Sequence, residues 1–433
     1  ATARGRYSVT GPDGTLMATE EDVELPVLAA PAGGLPTVVA ADDQLASCLR
    51  ALTAGSGAVA LDVERAQSYR YSGKAYLLQL RRAGSGTFLI DPVAFETLPN
   101  EIAQFTELQQ LIGDQEWILH AASQDLPNLI ALGLRPTRLF DTELAGRLLG
   151  LPRVSLGSMA ERYCGVRLLK EHASVDWSTR PIPDDWLTYA ALDVELLDVL
   201  RARLLDDLIA AGKAEWAQQE FNWLIQSALR PAPDQLERWR RTSGTHLVRS
   251  SQGLAIVREL WLVRDQIAKR TDRAPGKVLP DRAISELGAL VTKRHAQVPG
   301  RAELDQIAGF KRRTARRYQD AWLAALDRVA NMPASALPSL RLAGDGIPAP
   351  RTWERIKPAA AARWDRVRPA MLELAEELQV PMENLIQPEA LRQLLWDPNR
   401  PATVSSLEEQ LADLGVRPWQ RSLVAPLAAE LIA

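Results

Sequence analysis

Strand-like segments are confined to the first part of this chain, and this distribution constrains the fold more than any other feature. Short apolar runs typical of buried strands occur at residues 58–63, 75–80, 87–90 and 117–120. Short connections join the first three, which predicts an antiparallel meander, whereas a helical stretch over residues 101–112 precedes the fourth. From Ser155 onward the periodicity is almost entirely helical. We therefore expect a sheet that is part antiparallel and part parallel, followed by all-helical domains.

Changes in periodicity and composition divide the chain further. A length of 433 residues suggests about three domains. The predicted segments are an N-terminal arm (1–36), an α/β domain (37–212), a helical connector (213–250), a first helical module (251–332), a proline-rich linker (333–358) and a second helical module (359–433).

The net charge of −3 conceals an uneven distribution. Residues 215–330 carry 21 Lys and Arg against 13 Asp and Glu, a net charge of +8, whereas the sequence before them is acidic. This split favours a part that holds cations and a separate part that holds polyanions. The alternative is that charge simply fluctuates along the chain, and the split alone does not decide between them.

Two acidic residues interrupt the first predicted strand. Asp62 and Glu64 are two residues apart, so their side chains point to the same side of a strand. Carboxylates in an apolar strand are costly to bury unless a cation or hydrogen bonds compensate them. The alternative is a strand end that reaches solvent, because single Asp-x-Glu matches also occur by chance.

A third acidic residue follows the strand at 117–120. We expect Ser123 to cap a helix there, which places Asp125 in its first turn. The helix dipole alone also favours acids at such positions. His120 is more typical of a packed histidine than of a ligand. With four histidines and none at i, i+4 spacing, a zinc site of the His/Cys type is not expected.

A phenol and a carboxylate lie together in a segment predicted to be one long helix, residues 184–211. Tyr189 and Asp193 are spaced i, i+4 and therefore share a face, one turn apart. The small Ala190 and Ala191 between them are expected to leave room for a ligand on that face.

The three motifs are more specific together than apart. Asp62, Glu64, Asp125 and Asp193 supply hard oxygen donors suited to Mg²⁺ or Mn²⁺. Two such ions, ~3.5–4 Å apart, can stabilise both the attacking and the leaving oxygen of a phosphodiester displacement. Tyr189 could orient the attacking water or take its proton, although a free phenol with a pKa of ~10 is a poor base.

The order Asp-x-Glu, His-x-x-x-x-Asp and Tyr-x-x-x-Asp resembles the tyrosine-containing subfamily of DEDD 3′→5′ exonucleases. Over residues 37–212 the flanking motifs are similar to those of the ribonuclease D family: Leu77-Leu-Gln-Leu80, Ile90-Asp-Pro92, Phe140-Asp-Thr142, Leu169-Lys170 and Asp176-Trp-Ser-Thr-Arg-Pro181. Residues 252–332 resemble an HRDC domain. Residues 359–430 resemble a second, more divergent HRDC copy, which lacks a Gly-Phe turn and a basic cluster.

The resemblance implies a ribonuclease H-like mixed-sheet exonuclease domain followed by two helical HRDC bundles. It also implies 3′→5′ hydrolysis of RNA to 5′-mononucleotides, as in the 3′ processing of tRNA precursors and other stable RNA. Asp62, Glu64 and Asp193 would hold one divalent ion, Mg²⁺ or Mn²⁺, and Asp62 with Asp125 would help hold a second. Tyr189 would position the attacking water. We expect a monomer with no organic cofactor.

Basic residues in the first helical module are the main candidates for RNA binding: Lys311, Arg312, Arg313, Arg316 and Arg317. On one helix, Arg313 and Arg317 would share a face with Phe310 beside it, giving charge next to an aromatic plane. The alternative is an ordinary solvated face.

Three residues of the α/β domain are further candidates for RNA contact. Arg65 and Tyr69 belong to a basic, aromatic segment that directly follows Glu64, and either line the substrate groove or form a surface loop. Lys170 is a candidate phosphate contact, although an acidic residue follows it.

Composition and cysteine content bear on location. The longest apolar runs are far shorter than the ~20 residues that span a bilayer, and the first residues lack the pattern of a secretory signal. The short apolar runs favour no association with a membrane. Only Cys48 and Cys164 are present, and this low number favours the reducing cytoplasm. Two other functions stay open at this point: a DNA-directed 3′→5′ exonuclease, and a non-catalytic RNA-binding protein on the same fold.

Overall fold

The computed structural model describes residues 25–96, 102–169, 174–230, 237–292, 297–340 and 346–432. Residues 1–24 of the predicted arm and the candidate contact Lys170 lie outside the described residues. The strands are β1 (Val27–Leu28), β2 (Val38–Val39), β3 (Ser56–Arg65), β4 (Ala75–Ala83), β5 (Gly86–Ile90), β6 (Glu116–Leu119), β7 (Arg138–Asp141) and β8 (Arg167–Leu168).

One mixed sheet has the strand order β2-β5-β4-β3-β6-β7. Its centre, β3-β4-β5, is the predicted antiparallel meander. The pairs β2–β5, β3–β6 and β6–β7 are parallel, so the expectation of a mixed sheet is confirmed. The short edge strands β2 and β7 were not predicted, because two to four residues carry little periodicity. A separate pair, β1 and β8, fastens part of the predicted arm to the domain.

The helices follow the predicted division into an α/β part and a helical part. Those up to residue 230 are α1 (Asp42–Ala54), α2 (Phe105–Ile112), α3 (Leu126–Ala131), α4 (Thr142–Leu148), α5 (Leu156–Met159), α6 (Asp184–Glu195), α7 (Leu197–Ala210) and α8 (Ala214–Leu229). A π-helical turn, Ala160–Cys164, follows α5, and short 3₁₀ helices lie at Pro92–Phe95, Arg238–Arg241, Thr245–Leu247, Ala334–Ala336 and Pro350–Thr352.

The remaining helices form two bundles. The first contains α9 (Ser251–Thr271), α10 (Pro275–Val278), α11 (Asp281–Ala289), α12 (Arg301–Leu304), α13 (Ala308–Lys311), α14 (Arg313–Arg316) and α15 (Gln319–Ala330). The second contains α16 (Trp353–Ile356), α17 (Pro358–Glu377), α18 (Met382–Leu385), α19 (Pro388–Trp396), α20 (Val404–Asp413) and α21 (Pro418–Ile432). Within the described residues, none of these helices is long and apolar enough to cross a membrane.

The prediction of a single helix over residues 184–211 is wrong. It is divided at Leu196, whose φ and ψ of −105° and −2° separate α6 from α7. The two helices pack mainly on different partners: α6 lies against β3, β4 and β5, whereas α7 contacts α4, α8 and β6, and β3 less extensively. Periodicity alone continues across the break, because both helices bury apolar side chains.

The second bundle shares one hydrophobic core with the α/β domain, whereas the first bundle has a core of its own. Helix α8 connects the shared core. Its Phe221 ring lies 5.0 Å from Phe140 of β7, and its Trp216 ring stacks 4.6 Å from Trp419 of α21. The packing of the sheet therefore extends beyond residue 212, where the sequence suggested the domain ends.

Buried charged groups fasten the same junction. Arg417 and Glu220 form an ion pair of 2.6 Å in which both side chains are almost fully buried. Lys213 donates hydrogen bonds to the carbonyls of Leu148 at 2.7 Å and Leu378 at 2.6 Å. Because each buried charge is paired or hydrogen-bonded, the junction holds the second bundle in one orientation.

Candidate active site

Strand β3 presents the first two acidic residues to one face of the sheet. Asp62 and Glu64 alternate with Leu61 and Val63, which are buried in the core on the other side. In the antiparallel pair with β4, Gln79 lies directly opposite Asp62. The two carboxylates therefore face α6, which packs over this part of the sheet.

Asp125 reaches the site from the start of α3, in a different way from the one predicted. Helix α3 begins at Leu126, so Asp125 itself is the N-cap residue and the predicted cap at Ser123 is wrong. The preceding turn includes Ala121 at a φ of +61°. Asp141 holds this turn by accepting hydrogen bonds from the backbone N–H groups of Ala121 and Ala122 at 3.1 and 2.8 Å.

Helix α6 supplies Tyr189 and Asp193 one turn apart, as their spacing predicts. The role expected for Ala190 and Ala191 is wrong, because both are completely buried in a cluster with Leu77 of β4. Their small side chains let the helix approach the sheet closely and leave no room for a ligand. This close approach brings Asp193 to the carboxylates of β3.

The structure brings all five predicted residues to one cavity of about 240 Å³: Asp62, Glu64, Asp125, Tyr189 and Asp193. One oxygen from each of Asp62, Glu64 and Asp193 lies within 4.8 Å of the others. The carboxyls of Asp62 and Asp125 are hydrogen-bonded to each other.

Burial raises the pKa of every carboxyl in this cluster, and repulsion from neighbouring acids adds to the rise for Glu64, Asp125 and Asp193. Burial raises the pKa of Asp62 to about 6, although a hydrogen bond with Asp125 opposes the rise. Burial and the charge of Asp62 raise the pKa of Asp125 to about 9. The pKa values of Glu64 and Asp193 lie well above their usual range for the same two reasons. The carboxyls therefore lack sufficient positive charge around them.

The nearest positive side chain does not neutralise the cluster. The guanidinium of Arg65 lies 3.8 Å from Asp125 and donates a hydrogen bond to the carbonyl of Gln124 at 3.0 Å. Arg65 is the one cation among the described residues that line the cavity, and beside four acids it leaves an excess of negative charge that a divalent ion would compensate. The residues therefore fit hard divalent cations, both in donor chemistry and in charge.

Neither of the other titratable groups in the cavity is charged at neutral pH. Burial raises the pKa of Tyr189 far above its usual range, and its hydroxyl is hydrogen-bonded to Asp193. Burial lowers the pKa of His120 to about 4, and its Nδ1 lies 2.9 Å from Thr142 Oγ1. Tyr189 is thus a neutral hydroxyl that can orient a neighbour but is a poor base, and His120 is a packed histidine.

Sequence reasoning missed the position of Gln79. This side chain is completely buried, and neither of its amide atoms has a hydrogen-bond partner in the described part of the chain. The available signal was a single amide within the otherwise apolar run of residues 75–80, directly across from the first acidic motif.

The candidate RNA contacts are dispersed over the molecule. Arg65 lines the acidic cavity. Tyr69 contacts the first bundle, where its carbonyl accepts a hydrogen bond from Ala274 N–H at 3.0 Å and Lys277 Nζ lies 5.1 Å from its ring. The five basic residues at 311–317 are exposed.

Phe310 does not provide the aromatic plane expected beside that basic cluster, so this expectation is wrong for Phe310. The ring that does lie there is that of Tyr318, whose centroid is 5.9 Å from the guanidinium carbon of Arg317. Phe310 is buried in the core of the first bundle, against Trp322 at 6.3 Å. It also does not share a helix with the arginines, because extended backbone at Arg312 separates α13 from α14. Arg313 and Arg317 do lie one turn apart, as expected.

Comparison with known proteins agrees with this geometry. Residues 36–209 match the family model described as 3′-5′ exonuclease, residues 253–326 match the HRDC domain, and residues 346–432 match the 3′ to 5′ exonuclease C-terminal domain. The structure is similar to the crystal structure of RNase D from Escherichia coli, with a TM-score of 0.64 and 25% identity over 88% of this chain and 97% of that one. The chain belongs to the ribonuclease D family. Residues 36–209 are its 3′–5′ exonuclease domain.

Two further proteins are similar to this chain. A ribonuclease D from Desulfotalea psychrophila is 29% identical over 57% of this chain, which spans 64% of that relative. The crystal structure of a protein from Bifidobacterium adolescentis has a TM-score of 0.83 and 35% identity over 94% of this chain and 100% of that one. The second bundle matches the exonuclease C-terminal model, so its designation as a divergent HRDC copy stays a prediction.

Proposed function

We propose that this ribonuclease D family member is a 3′→5′ exoribonuclease that hydrolyses RNA from its 3′ end and releases 5′-mononucleotides. The observation that carries this proposal is the convergence of four carboxyls and a neutral phenol in one cavity. Family membership supports the same activity.

The donor set fits two divalent metal ions, Mg²⁺ or Mn²⁺, as cofactors. Asp62, Glu64 and Asp193 would hold one, and Asp62 with Asp125 would help hold the other. Such ions lower the pKa of water and stabilise negative charge on a phosphoryl group. The Tyr189 hydroxyl donates a hydrogen bond to Asp193 and keeps its proton, so its oxygen can still accept a hydrogen bond from an attacking water and orient it.

The substrates that fit the family are structured RNAs with a free 3′ end, such as tRNA precursors. The similar Escherichia coli RNase D is described as an exoribonuclease involved in structured RNA processing. Both cysteines are unpaired thiols, Cys48 buried and Cys164 half-buried, which supports a reducing cytoplasm. We further propose that the protein acts as a monomer and needs no organic cofactor.

Release of labelled mononucleotides from a 3′-end-labelled single-stranded RNA, with and without Mn²⁺ or Mg²⁺, tests the proposal. Asp62→Asn removes a ligand at nearly constant volume and should lower the rate at least about 100-fold, which corresponds to about 2.7 kcal/mol. Asp184→Asn, at the exposed start of α6, is the matched control and should retain the rate.

Three results would contradict the proposal. Equal or faster hydrolysis of a DNA oligomer of the same sequence would favour a DNA-directed exonuclease. Tight RNA binding with no metal-dependent release would favour a non-catalytic RNA-binding protein. Retention of more than about a tenth of the rate by Asp62→Asn or Asp193→Asn would exclude the proposed ligand role.

A further inference from the structure

A second cavity, of about 520 Å³, lies between the exonuclease domain and the first bundle. The exonuclease domain contributes the segment that follows the first acidic motif, including Arg70 and Tyr71. The opposite wall contains Arg238 and Arg241, which flank a 3₁₀ turn, and Trp261 of α9. The cavity therefore exists only because the two domains are docked.

Direct contacts fix this docking. The Tyr71 hydroxyl donates to the carboxylate of Asp265, with both oxygens at 3.0 Å. The backbone N–H of Ser72 donates to Asp272 at 2.9 Å. Together with the bond from Ala274 to the Tyr69 carbonyl, these contacts order the segment between the two domains. The cavity wall is therefore held in place before any ligand binds.

The cavity has an excess of positive charge. Its lining contains four arginines and two aspartates. Asp281 is paired with Arg264 at 2.5 Å, and Asp265 accepts from Tyr71, so both acids are occupied. Arg238 and Arg241 are exposed and have no ion pair with any residue that the structure describes.

Arg264 provides an independent sign of an incomplete site. Only 4% of this residue is exposed, yet its Nε has no hydrogen-bond partner among the described residues. Buried polar donors are nearly always satisfied in folded proteins, and an exception points to a partner that binds there or to a functional role. An anion in the cavity would supply the negative charge that this arginine-rich wall lacks.

The cavity is connected to the active site. A small intermediate cavity of about 160 Å³ shares Glu64 and Arg65 with the acidic cavity. The same intermediate cavity shares Gln67 with the arginine-lined cavity. The three cavities therefore lie next to one another along the segment that follows the first acidic motif, and a strand whose 3′ end lies at the carboxylates would reach the domain junction by passing Arg65 and Gln67.

We propose that the arginine-lined cavity binds the phosphodiester backbone of the single-stranded RNA segment that lies upstream of the 3′-terminal nucleotide. This inference rests on the proposed exoribonuclease function and adds the path of the substrate. Arg70, Arg238 and Arg241 neutralise phosphates, and Trp261 offers an aromatic surface for a base. Positive charge beside aromatic side chains is the usual means of binding single strands without sequence preference.

The test compares binding of a three-nucleotide and a twelve-nucleotide RNA, measured by fluorescence anisotropy in EDTA so that no cleavage occurs. In Arg238→Glu/Arg241→Glu the preference for the longer RNA should fall at least about tenfold. For the longer RNA, the slope of log Kd against the logarithm of the salt concentration should become shallower by about 1.4, because two phosphate contacts are lost. Arg351→Glu/Arg366→Glu makes the same charge change at exposed positions of the second bundle and should alter neither quantity.

Several outcomes would overturn the proposal. An unchanged length preference and salt slope in Arg238→Glu/Arg241→Glu would place the upstream RNA elsewhere, for example at residues 311–317. Equal displacement of the longer RNA by a polyglutamate of matched charge would identify a site for an acidic partner in general. Hydrolysis assays separate the two proposals: loss of the length preference without any metal-dependent hydrolysis would refute the proposed activity and leave the RNA site standing.

Discussion

Binding of a divalent metal ion should expel protons from the active site, because its carboxyls are partly protonated when no metal is bound. The Asp62–Asp125 pair titrates with apparent pKa values of about 6 and about 9. At about pH 7.5 the group with the higher pKa is almost fully protonated, because this pH lies about 1.5 units below its pKa. Mn²⁺ must displace this proton in order to bind.

The size of the effect follows from these values. At about pH 7.5, competition from the more basic carboxyl weakens metal binding about 30-fold, or about 2 kcal/mol. At about pH 5 both groups of the pair are protonated, so the total weakening reaches about 10⁵-fold. Apparent affinity should therefore fall by roughly three orders of magnitude between these two pH values, and by more if Glu64 and Asp193 also release protons. Each raised pKa disfavours metal binding as the pH falls, because protons then compete more strongly for the carboxylates.

Isothermal titration calorimetry in two buffers of different ionisation enthalpy measures the number of protons released. We expect the release of at least about one proton per protein at pH 7.5, and of at least about one additional proton at pH 5. Asp125→Asn should lower the number at pH 7.5 by about one, because the amide keeps the shape of the side chain and cannot titrate. Asp184→Asn should not change it. Zero proton release by the wild-type protein at pH 7.5, or equal affinity at both pH values, would refute this reasoning.

Three further predictions follow from individual contacts. Tyr189→Phe should reduce the single-turnover rate with little change in RNA affinity, because the hydroxyl is needed only when water attacks; a fall in affinity alone would make it a binding residue. Glu220→Gln should lower the free energy of unfolding in urea by roughly 3–5 kcal/mol, since it leaves Arg417 buried without its partner, and Glu220→Leu/Arg417→Met should recover most of the loss. Asp141→Ala should lower the free energy of unfolding by about 1–3 kcal/mol for each backbone donor that it leaves unsatisfied. The rate of hydrolysis should also fall, because this carboxylate holds the turn before Asp125. Unchanged stability and rate would contradict that role.

Truncation is a poor test of what the helical parts contribute. A chain that ends near Gly212 would keep Asp193 and every other proposed ligand. It would also lose Phe221, which packs on the sheet, and expose the apolar core that the second bundle shares with the exonuclease domain. Charge reversal in the intact chain changes the RNA-binding surface without opening this core.

Local patterns in the sequence were sufficient to predict how the acidic residues are arranged within each motif. Alternation along β3 places Asp62 and Glu64 on one face, and the i, i+4 spacing places Tyr189 beside Asp193. Both periodicities are properties of the backbone within a few residues and need no tertiary information. The meander of β3, β4 and β5 was predictable for the same reason, since short connections leave few other arrangements.

Local patterns failed wherever a distant segment decides the environment of a side chain. Phe310 has the spacing of a surface aromatic residue, but Trp322 and the rest of the bundle bury it. The break at Leu196 lies within a continuous helical pattern, and different packing partners on its two sides define it. Asp125 was expected inside a helix, whereas Asp141 holds the preceding turn and makes it the N-cap.

The sequence by itself determined the fold class through its periodicity, and the family and the candidate carboxylates through motifs that resemble those of the ribonuclease D family. Only the tertiary structure decided how strongly those carboxylates are protonated, because their pKa values depend on burial and on acids that are distant in the sequence. Asp62 and Asp193, which interact in the site, are about 130 residues apart. The arginine-lined cavity is a still clearer case. Arg70 and Arg241 are 171 positions apart in the sequence and have no pattern in common, and they line one cavity only because the docking of two domains brings them together.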